Sequence, residues 1–425
     1  MNSKTLTVGL AILALFFTSL IARSGVLAWM ALPFLFYLVI GVLQAPASEK
    51  VHFEATRSLS AAGSEGDPTW EMRVTVRNLG AAVDHLLLSD RLDPGMEIIE
   101  GSIQRPVAIG AGEETELKYT FRAGRGMFTW KSLRIVASDP LGLIETELKL
   151  PAEAEATVHP EMEKFPSITL RSRSTLHSPG SIPARREGSG TDFWGVREYQ
   201  PGDSLRWLDW RLAARHPHKF FTREFEQEEI ADISLVLDAR QKTDLWVGDD
   251  SLFEHAVSAA GSLAKAFLHE GHRVSLLVAG DHLVNVYPGY GKLQLNRILR
   301  CLSRAQTGSN ASINSLQHIP FRIFSRRSLI VILSPLARGD GPLFPRIRSL
   351  GYQALLISPD PFDFARPVFK RDAASSLAVR SAYLERCLEL RKITQLGIPV
   401  IDWQVDRPLS PLVRGALSHS RAPRQ

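Results

Sequence analysis

Residues 188–215 read GSGTDFWGVREYQPGDSLRWLDWRLAAR, and three carboxylates stand in that run: Asp192, Asp203 and Asp209. Carboxylates at such spacing can serve as general acid, general base or metal ligand, which is the chemistry of a hydrolase. The same run holds Arg197, Arg206, Arg211 and Arg215, so each Asp has an arginine within a few residues. A neighbouring cation favours a permanently charged, paired carboxylate over a catalytic one. No serine or cysteine comes with a recognisable nucleophile elbow. Trp194, Trp207 and Trp210 add bulk, while Gly188, Gly190, Gly195, Pro201 and Gly202 fix turns. These residue types predict a rigid, ion-paired loop that braces a domain or presents a contact surface. Within it, Arg197, Asp203, Arg206, Asp209 and Arg215 are expected to form one charge network with Trp210 packed beneath.

Other chemistry-bearing residues are sparse. His216-Pro-His218 sets two imidazoles two residues apart, but zinc needs further ligands at known spacing and none is evident. Gly289-Tyr-Gly-Lys292 resembles the tail of a phosphate-binding loop but lacks its first glycine, and Leu293 stands at the Ser/Thr position. Cys301 and Cys387 give neither a disulfide framework nor a Cys-x-x-Cys pair and read as small core residues. Glu224, Glu226, Glu228 and Glu229 form an acidic stretch suited to a solvated face or to a basic partner. No cofactor and no metal are implied.

The elements that must position these residues fall into blocks. Leu6–Ala22 and Val26–Leu43 are uncharged stretches separated by Arg23-Ser24-Gly25. As helices each spans about 25 Å, close to a hydrocarbon core of about 30 Å, and Pro33 in the second is tolerable there. A signal peptide would explain the first stretch but leaves the second without a role. A two-helix hairpin puts both ends on one side. Lys4, Lys50 and Arg57 outside the turn outnumber Arg23 within it, so that side is expected to be the cytoplasm. The formal charge of +5 over 425 residues is modest and dispersed. It suits an anionic membrane surface and does not imply nucleic acid.

From Val51 to Val158 short runs alternate apolar and polar residues, as in Trp70–Val76, with further strands expected at 86–88, 115–121 and 133–136. Asp93-Pro94-Gly95 and Gly110-Ala-Gly112 supply turns, so an antiparallel β-sandwich is expected. Downstream, strands at 232–238, 273–279, 328–333, 352–357 and 399–402 alternate with helices at 252–270, 293–302 and 382–396. That alternation predicts a doubly wound α/β sheet, with Asp238 at the carboxyl end of its first strand, where such sheets bind ligands.

The run Gly195, Arg197, Tyr199, Gly202, Asp203, Arg206, Asp209, Trp210, Ala214, Arg215 resembles the signature of a bacterial membrane-protein family, the domain of unknown function fifty-eight. Arg125-Gly126 and Asp139-Pro-Leu-Gly-Leu143 resemble the end of that family's β domain. The resemblance implies a von Willebrand A-like fold downstream and work with a MoxR-type AAA+ ATPase. In von Willebrand A domains the position of Asp238 opens an Asp-x-Ser-x-Ser motif that holds Mg²⁺. Here the motif is Asp238-Ala-Arg240-Gln-Lys242, with cations at both hydroxyl positions, and the later Asp expected after the third strand is replaced within Leu333-Ser334-Pro335-Leu336. Gly308-Ser309-Asn310 retains the form of a third metal-site loop. Asp238 is therefore expected to be a degenerate metal position, paired with Arg240, Lys242 or a backbone amide.

The expected organisation is a transmembrane hairpin over 1–48, a β-sandwich over 49–160, a signature segment over 161–229 and a von Willebrand A-like domain over 230–425. The expected function is a non-enzymatic scaffold or adaptor in the bacterial inner membrane with cytoplasmic domains, acting with the ATPase on client proteins. The alternative is a membrane-tethered hydrolase using the signature carboxylates.

Overall fold

Two compact units divide the chain, Met1–Val158 and His159–Gln425. The computed structural model describes residues 3–23, 25–44, 52–63, 69–93, 95–143, 145–166, 183–216, 219–228, 230–309, 315–325, 328–369 and 373–418.

The first unit opens with α1 (Ser3–Ala22), α2 (Gly25–Met30) and α3 (Leu32–Gln44), and α1 packs against both others. α1 is long and apolar enough to cross a membrane. The second apolar stretch is not the single helix expected. It breaks at Ala31, whose N–H donates to the Ala28 carbonyl at 3.2 Å in a tighter turn. Pro33 explains the break, because it has no N–H for the preceding turn and its ring crowds the carbonyl four residues back. The helices rest on the Asp139–Leu143 turn. Thr5 Oγ1 donates to the Leu143 carbonyl, and a Cβ at Gly41 would lie 2.7 Å from Leu143 Cδ1. Asp139 holds that turn by accepting from the Leu141 and Leu143 amides at 3.0 and 2.8 Å.

Eight strands follow: β1 (Phe53–Ala61), β2 (Thr69–Asn78), β3 (Val83–Ser89), β4 (Met96–Gly101), β5 (Gln104–Ile109), β6 (Glu114–Ala123), β7 (Gly126–Ser138) and β8 (Glu145–Val158). They form two antiparallel sheets, β1-β2-β6-β4 and β5-β3-β7-β8. Alternation decides the packing: Met72, Val74 and Val76 of one sheet and Leu133, Ile135 and Ala137 of the other point into one shared core. Arg57 is wholly buried there, donating to Asp90 at 2.7 Å, and Asp90 also accepts from Tyr119 Oη at 2.8 Å. Burial, then the Asp90 charge, pushes the Tyr119 hydroxyl well above its usual value.

The second unit begins, among the described elements, with β9 (Pro183–Glu198), α4 (Trp210–Ala213) and β10 (Phe221–Glu228). β11 (Asp232–Asp238), β12 (Trp246–Val247), β13 (Asp250–Ser251), α5 (Leu252–His269), β14 (Arg273–Ala279), β15 (Leu283–Gly289), α6 (Gly291–Arg304) and β16 (Leu329–Leu333) come next. The chain continues through α7 (Leu343–Ser349), β17 (Gln353–Pro359), α8 (Pro361–Phe364), α9 (Ala373–Gln395), β18 (Val400–Trp403) and α10 (Leu409–Ser418). Six strands form one sheet in the order β15-β14-β11-β16-β17-β18. All its pairings are parallel except β14 with β15, an antiparallel edge pair that the strand–helix alternation does not predict.

Both sheet faces are covered. Ile233, Leu235 and Leu237 of β11 join a core with Val257 and Leu263 of α5, Ile298 of α6 and Val413 of α10. Val236, pointing the opposite way, joins Phe344 and Ile347 of α7 with Leu390 and Ile393 of α9. Two cores on one sheet require near-continuous apolar strands, which is what DISLVLD and LIVIL supply.

Candidate functional site

The ends of the signature segment are strands rather than a loop. β9 and β10 pair antiparallel, with Arg197 opposite Thr222 and Gly195 opposite Glu224, and two bulges interrupt the ladder. Between them the chain makes a 3-10 turn at Leu205–Trp207 and then α4. The turn is pinned by one carboxylate. Arg197 donates two bonds to Asp203, at 2.7 and 2.8 Å. Asp203 also accepts from the Gln200 amide at 2.9 Å and Thr222 Oγ1 at 3.2 Å. The Arg197 guanidinium, then the Gln200 amide, holds the Asp203 carboxyl down at about 2. Gly202 beside it sits at φ 114°, a backbone region closed to ordinary side chains.

Asp209 does a different job. It caps α4, accepting from the Arg211 and Leu212 amides at 3.1 and 3.0 Å, and it pairs with Arg223 at 3.0 Å. The Leu212 amide, with Arg223 assisting, keeps this carboxyl below its usual value. Lys219 pairs with Glu198, and the Tyr199 amide donates to the Phe220 carbonyl at 2.8 Å. Leu208 is the buried apolar residue of the turn and bridges to Thr222.

The single five-member network therefore resolves into two separate pairs. Arg206 and Arg215 are exposed and, among the described residues, join neither. Trp210 is not packed beneath them; it is 64% exposed. As the first residue of a four-residue helix, it has no second turn to fold against, and Leu208 already fills the buried position. Leu205 and Phe220 are 66% and 55% exposed. The segment thus presents three large apolar side chains interspersed with exposed Arg206, Arg211 and Arg215. His216 stacks at an angle on Phe221, with ring centres 5.5 Å apart. His218, Asn310 and the side chains of Asp192, Trp194, Glu224, Glu226, Glu228 and Glu229 lie outside the described residues.

The second candidate lies at the carboxyl end of β11. Arg240 bends back, and its Nε and Nη2 donate to the two oxygens of Asp238 at 2.8 and 2.7 Å. Its Nη1 and Nη2 donate to Asp340 at 3.0 and 2.7 Å. Ser334 Oγ donates to Asp238 at 2.6 Å, and the Ala337 and Leu316 amides donate to Asp340 at 2.8 and 3.2 Å. The side chains of Arg240, Asp238 and Asp340 are 3%, 0% and 1% exposed. Burial opposes the Arg240 charge, but the two carboxylates outweigh it and raise the guanidinium above its ordinary value. Gly308 pairs with Arg240 across an isolated bridge, and a Cβ there would collide with the Asp281 carboxyl.

A guanidinium thus sits between two carboxylates and a serine hydroxyl. Those are the hard oxygen donors that a divalent cation would take, and the residue two places after Asp238 is itself the cation. Lys242, the other cation of that motif, is exposed. Among the described residues no group of three or more His, Cys, Asp or Glu is placed to hold a metal. Sequence reasoning missed Asp340. It sought an acid within Leu333–Leu336, whereas the partner sits between Gly339 and Gly341, and that Asp between two glycines after a core strand was the available signal.

Several proteins resemble parts of this chain. The uncharacterized protein YeaD of Bacillus subtilis is 26% identical over 275 residues, 63% of this chain and 65% of that protein, so the match spans just under two thirds of the relative's length. The uncharacterized protein Rv1480 of Mycobacterium tuberculosis is 27% identical over 268 residues, 57% of this chain and 82% of that protein. Among solved structures, the CARDB domain of the PF1109 protein from Pyrococcus furiosus is 16% identical, covers 26% of this chain and 96% of its own, and has a TM-score of 0.18. The FixG-related protein from Vibrio parahaemolyticus covers 24% of this chain and 94% of its own at 14% identity and a TM-score of 0.17. Both scores are too low to assign a fold. The model of the protein family of unknown function DUF58 matches residues 195–350. That span covers the signature turn and the Arg240 cluster together, and over it the chain is similar to the DUF58 family.

Proposed function

We propose that this protein is a non-enzymatic scaffold or adaptor, anchored in the bacterial inner membrane with its folded units in the cytoplasm. In this reading the signature turn docks a partner protein. The observation that carries it is the exposure of Leu205, Trp210 and Phe220 beside Arg206, Arg211 and Arg215. Interface cores are enriched in tryptophan and arginine, and a solvent-facing tryptophan has no folding reason to be there. Among the described residues the two carboxylates of the turn are already engaged: Asp203 by Arg197, Asp209 by Arg223 and the α4 amides. That disfavours the hydrolase alternative, which needs at least one carboxylate free to exchange protons.

The resemblance at the signature supplies the partner, a MoxR-type AAA+ ATPase, and through it client proteins under assembly or maturation. It also supplies the finer fold of the second unit, von Willebrand A-like, with Arg240 at the metal position. α1 supports the anchor, and ATP dependence of the partner supports the cytoplasmic side. The test is recovery of partners from membranes by the full-length protein. The expected result is an AAA+ ATPase that accompanies the unaltered chain and falls about tenfold or more with Leu205→Ala plus Trp210→Ala. Equal recovery by both proteins, or no ATPase with either, overturns the reading.

A further inference from the structure

The loop after β16, the start of α8 and one face of α9 enclose a cavity of about 580 Å³. Its walls are apolar at Pro335, Leu336, Pro342, Phe362 and Leu388. It lies at the carboxyl ends of β16 and β17, the edge of a parallel sheet where ligands bind. The near wall is a fixed feature. Leu336 is held at φ 62°, in the left-handed region that leucine rarely adopts. Its amide donates to Ser334 Oγ at 3.0 Å, and the next amide donates to Asp340, so the wall is tied to the Arg240 cluster.

The charged lining residues are not equivalent. Arg338 pairs with Glu385 and Lys392 with Glu389, all four at the exposed rim. Arg386 alone among them is buried, its side chain 7% exposed. Its Nη2 is well used, donating to Asp402 at 2.7 Å and Ser358 Oγ at 3.0 Å. Among the described residues its Nε and Nη1 have no hydrogen-bond partner. Asp360, 3.9 Å from Nη1, is too far to serve, and its Oδ1 is taken by the Phe362 amide at 3.0 Å. A buried guanidinium with two unmet donors is a costly arrangement that a native fold keeps for a reason.

We propose that this cavity binds a carboxylate on a small apolar body, with the carboxylate received by the Arg386 guanidinium and the body against Leu336, Phe362 and Leu388. The volume matches small-ligand sites. The carboxylate is the group a guanidinium recognises best in shape and charge. The same chemistry is offered by a free short acid and by the C-terminal residue of a peptide.

The experiment is calorimetric titration of the full-length protein in detergent micelles with N-acetyl-leucine, isovalerate and N-acetyl-leucinamide. The expected result is saturable binding of N-acetyl-leucine, and binding of the uncharged amide weaker by about tenfold or more. Binding of isovalerate as tightly as N-acetyl-leucine assigns a free acid; weaker binding assigns a peptide end. Arg386→Gln should abolish acid binding. Should that variant fail to fold, Ala382→Trp, which fills the cavity from an exposed lining position, should abolish it instead. No binding of either acid, equal binding of acid and amide, or full binding by a folded Arg386→Gln or Ala382→Trp protein overturns the proposal.

Discussion

Arg197–Asp203 and Arg240–Asp238–Asp340 use the same chemical pair to opposite ends. In the signature turn the guanidinium is 30% exposed and meets one carboxylate, which two other donors help to hold. At the end of β11 the guanidinium is buried and divides itself between two carboxylates from distant parts of the chain. The first pair shapes a local turn from residues six apart. The second joins residues one hundred apart and ties the loops after β11 and β16 into one block. Solvent sets the difference in worth. A partly exposed pair contributes less, because water can serve either ion, whereas a buried ion without its partner has nowhere to turn.

That contrast can be broken most directly at Arg240. Arg240→Ala should destabilise the protein by about 3–5 kcal/mol, since two buried carboxylates lose their counter-ion. Denaturant unfolding of the full chain in detergent measures it. The same variant should recover part of that loss in millimolar Mg²⁺ or Ca²⁺, while the unaltered protein shows no response to either ion. A small loss, or no cation effect on the variant, would show that the cluster is not an internal ion site. Asp209→Ala should cost about 1 kcal/mol, the usual worth of a helix cap, because its Arg223 partner is exposed and rehydrates. A loss comparable to that at Arg240 would erase the distinction between the two regions.

Asp203 sharpens it through pH. Its folded value of about 2 lies below the ordinary 3.8, so its contribution is present above that ordinary value and disappears as pH falls through about 2. Asp203→Asn should therefore flatten the acid limb of the stability profile in that window and leave the profile above it parallel. An unchanged acid limb would mean that Asp203 is paired no better in the fold than in the unfolded chain. The smallest effect belongs to Arg206→Ala. Stability should stay within about 0.5 kcal/mol, since the side chain is exposed and joins neither pair. Partner recovery should fall nonetheless, separating docking from folding.

The sequence made the local order readable and the long-range order not. Trp70–Val76 alternates because one face is wet, and DISLVLD does not because neither face is; both strands lie where those patterns say. Asp238 could be placed at a strand's carboxyl end for the same reason. Asp340 could not be assigned to it, since nothing within a window of residues reports a pairing across one hundred of them. Trp210 failed in another way. Bulk and nearby charge suggested a packed residue, but burial depends on which positions of a short helix are already supplied, and Leu208 had taken the place. Pro33 divided a stretch that hydropathy reads as one. The edge strand β15 escaped notice because its Asn285, Tyr287 and Pro288 break the apolar run that marks its parallel neighbours. Arg386 gave no sign at all: its two unmet donors exist only once β17, β18 and α9 have closed around it.

A divalent ion held by a protein comes and goes with its supply, and its occupancy falls when a chelator or a competing ion is present. The cation between Asp238 and Asp340 is covalently part of the chain. Its local concentration is fixed by a two-residue tether and owes nothing to the surroundings. The block it ties together cannot be emptied, exchanged for a different metal or titrated by scarcity. Whatever this unit responds to, mineral starvation is not among the signals it can hear at this position, and its shape there is inherited rather than acquired.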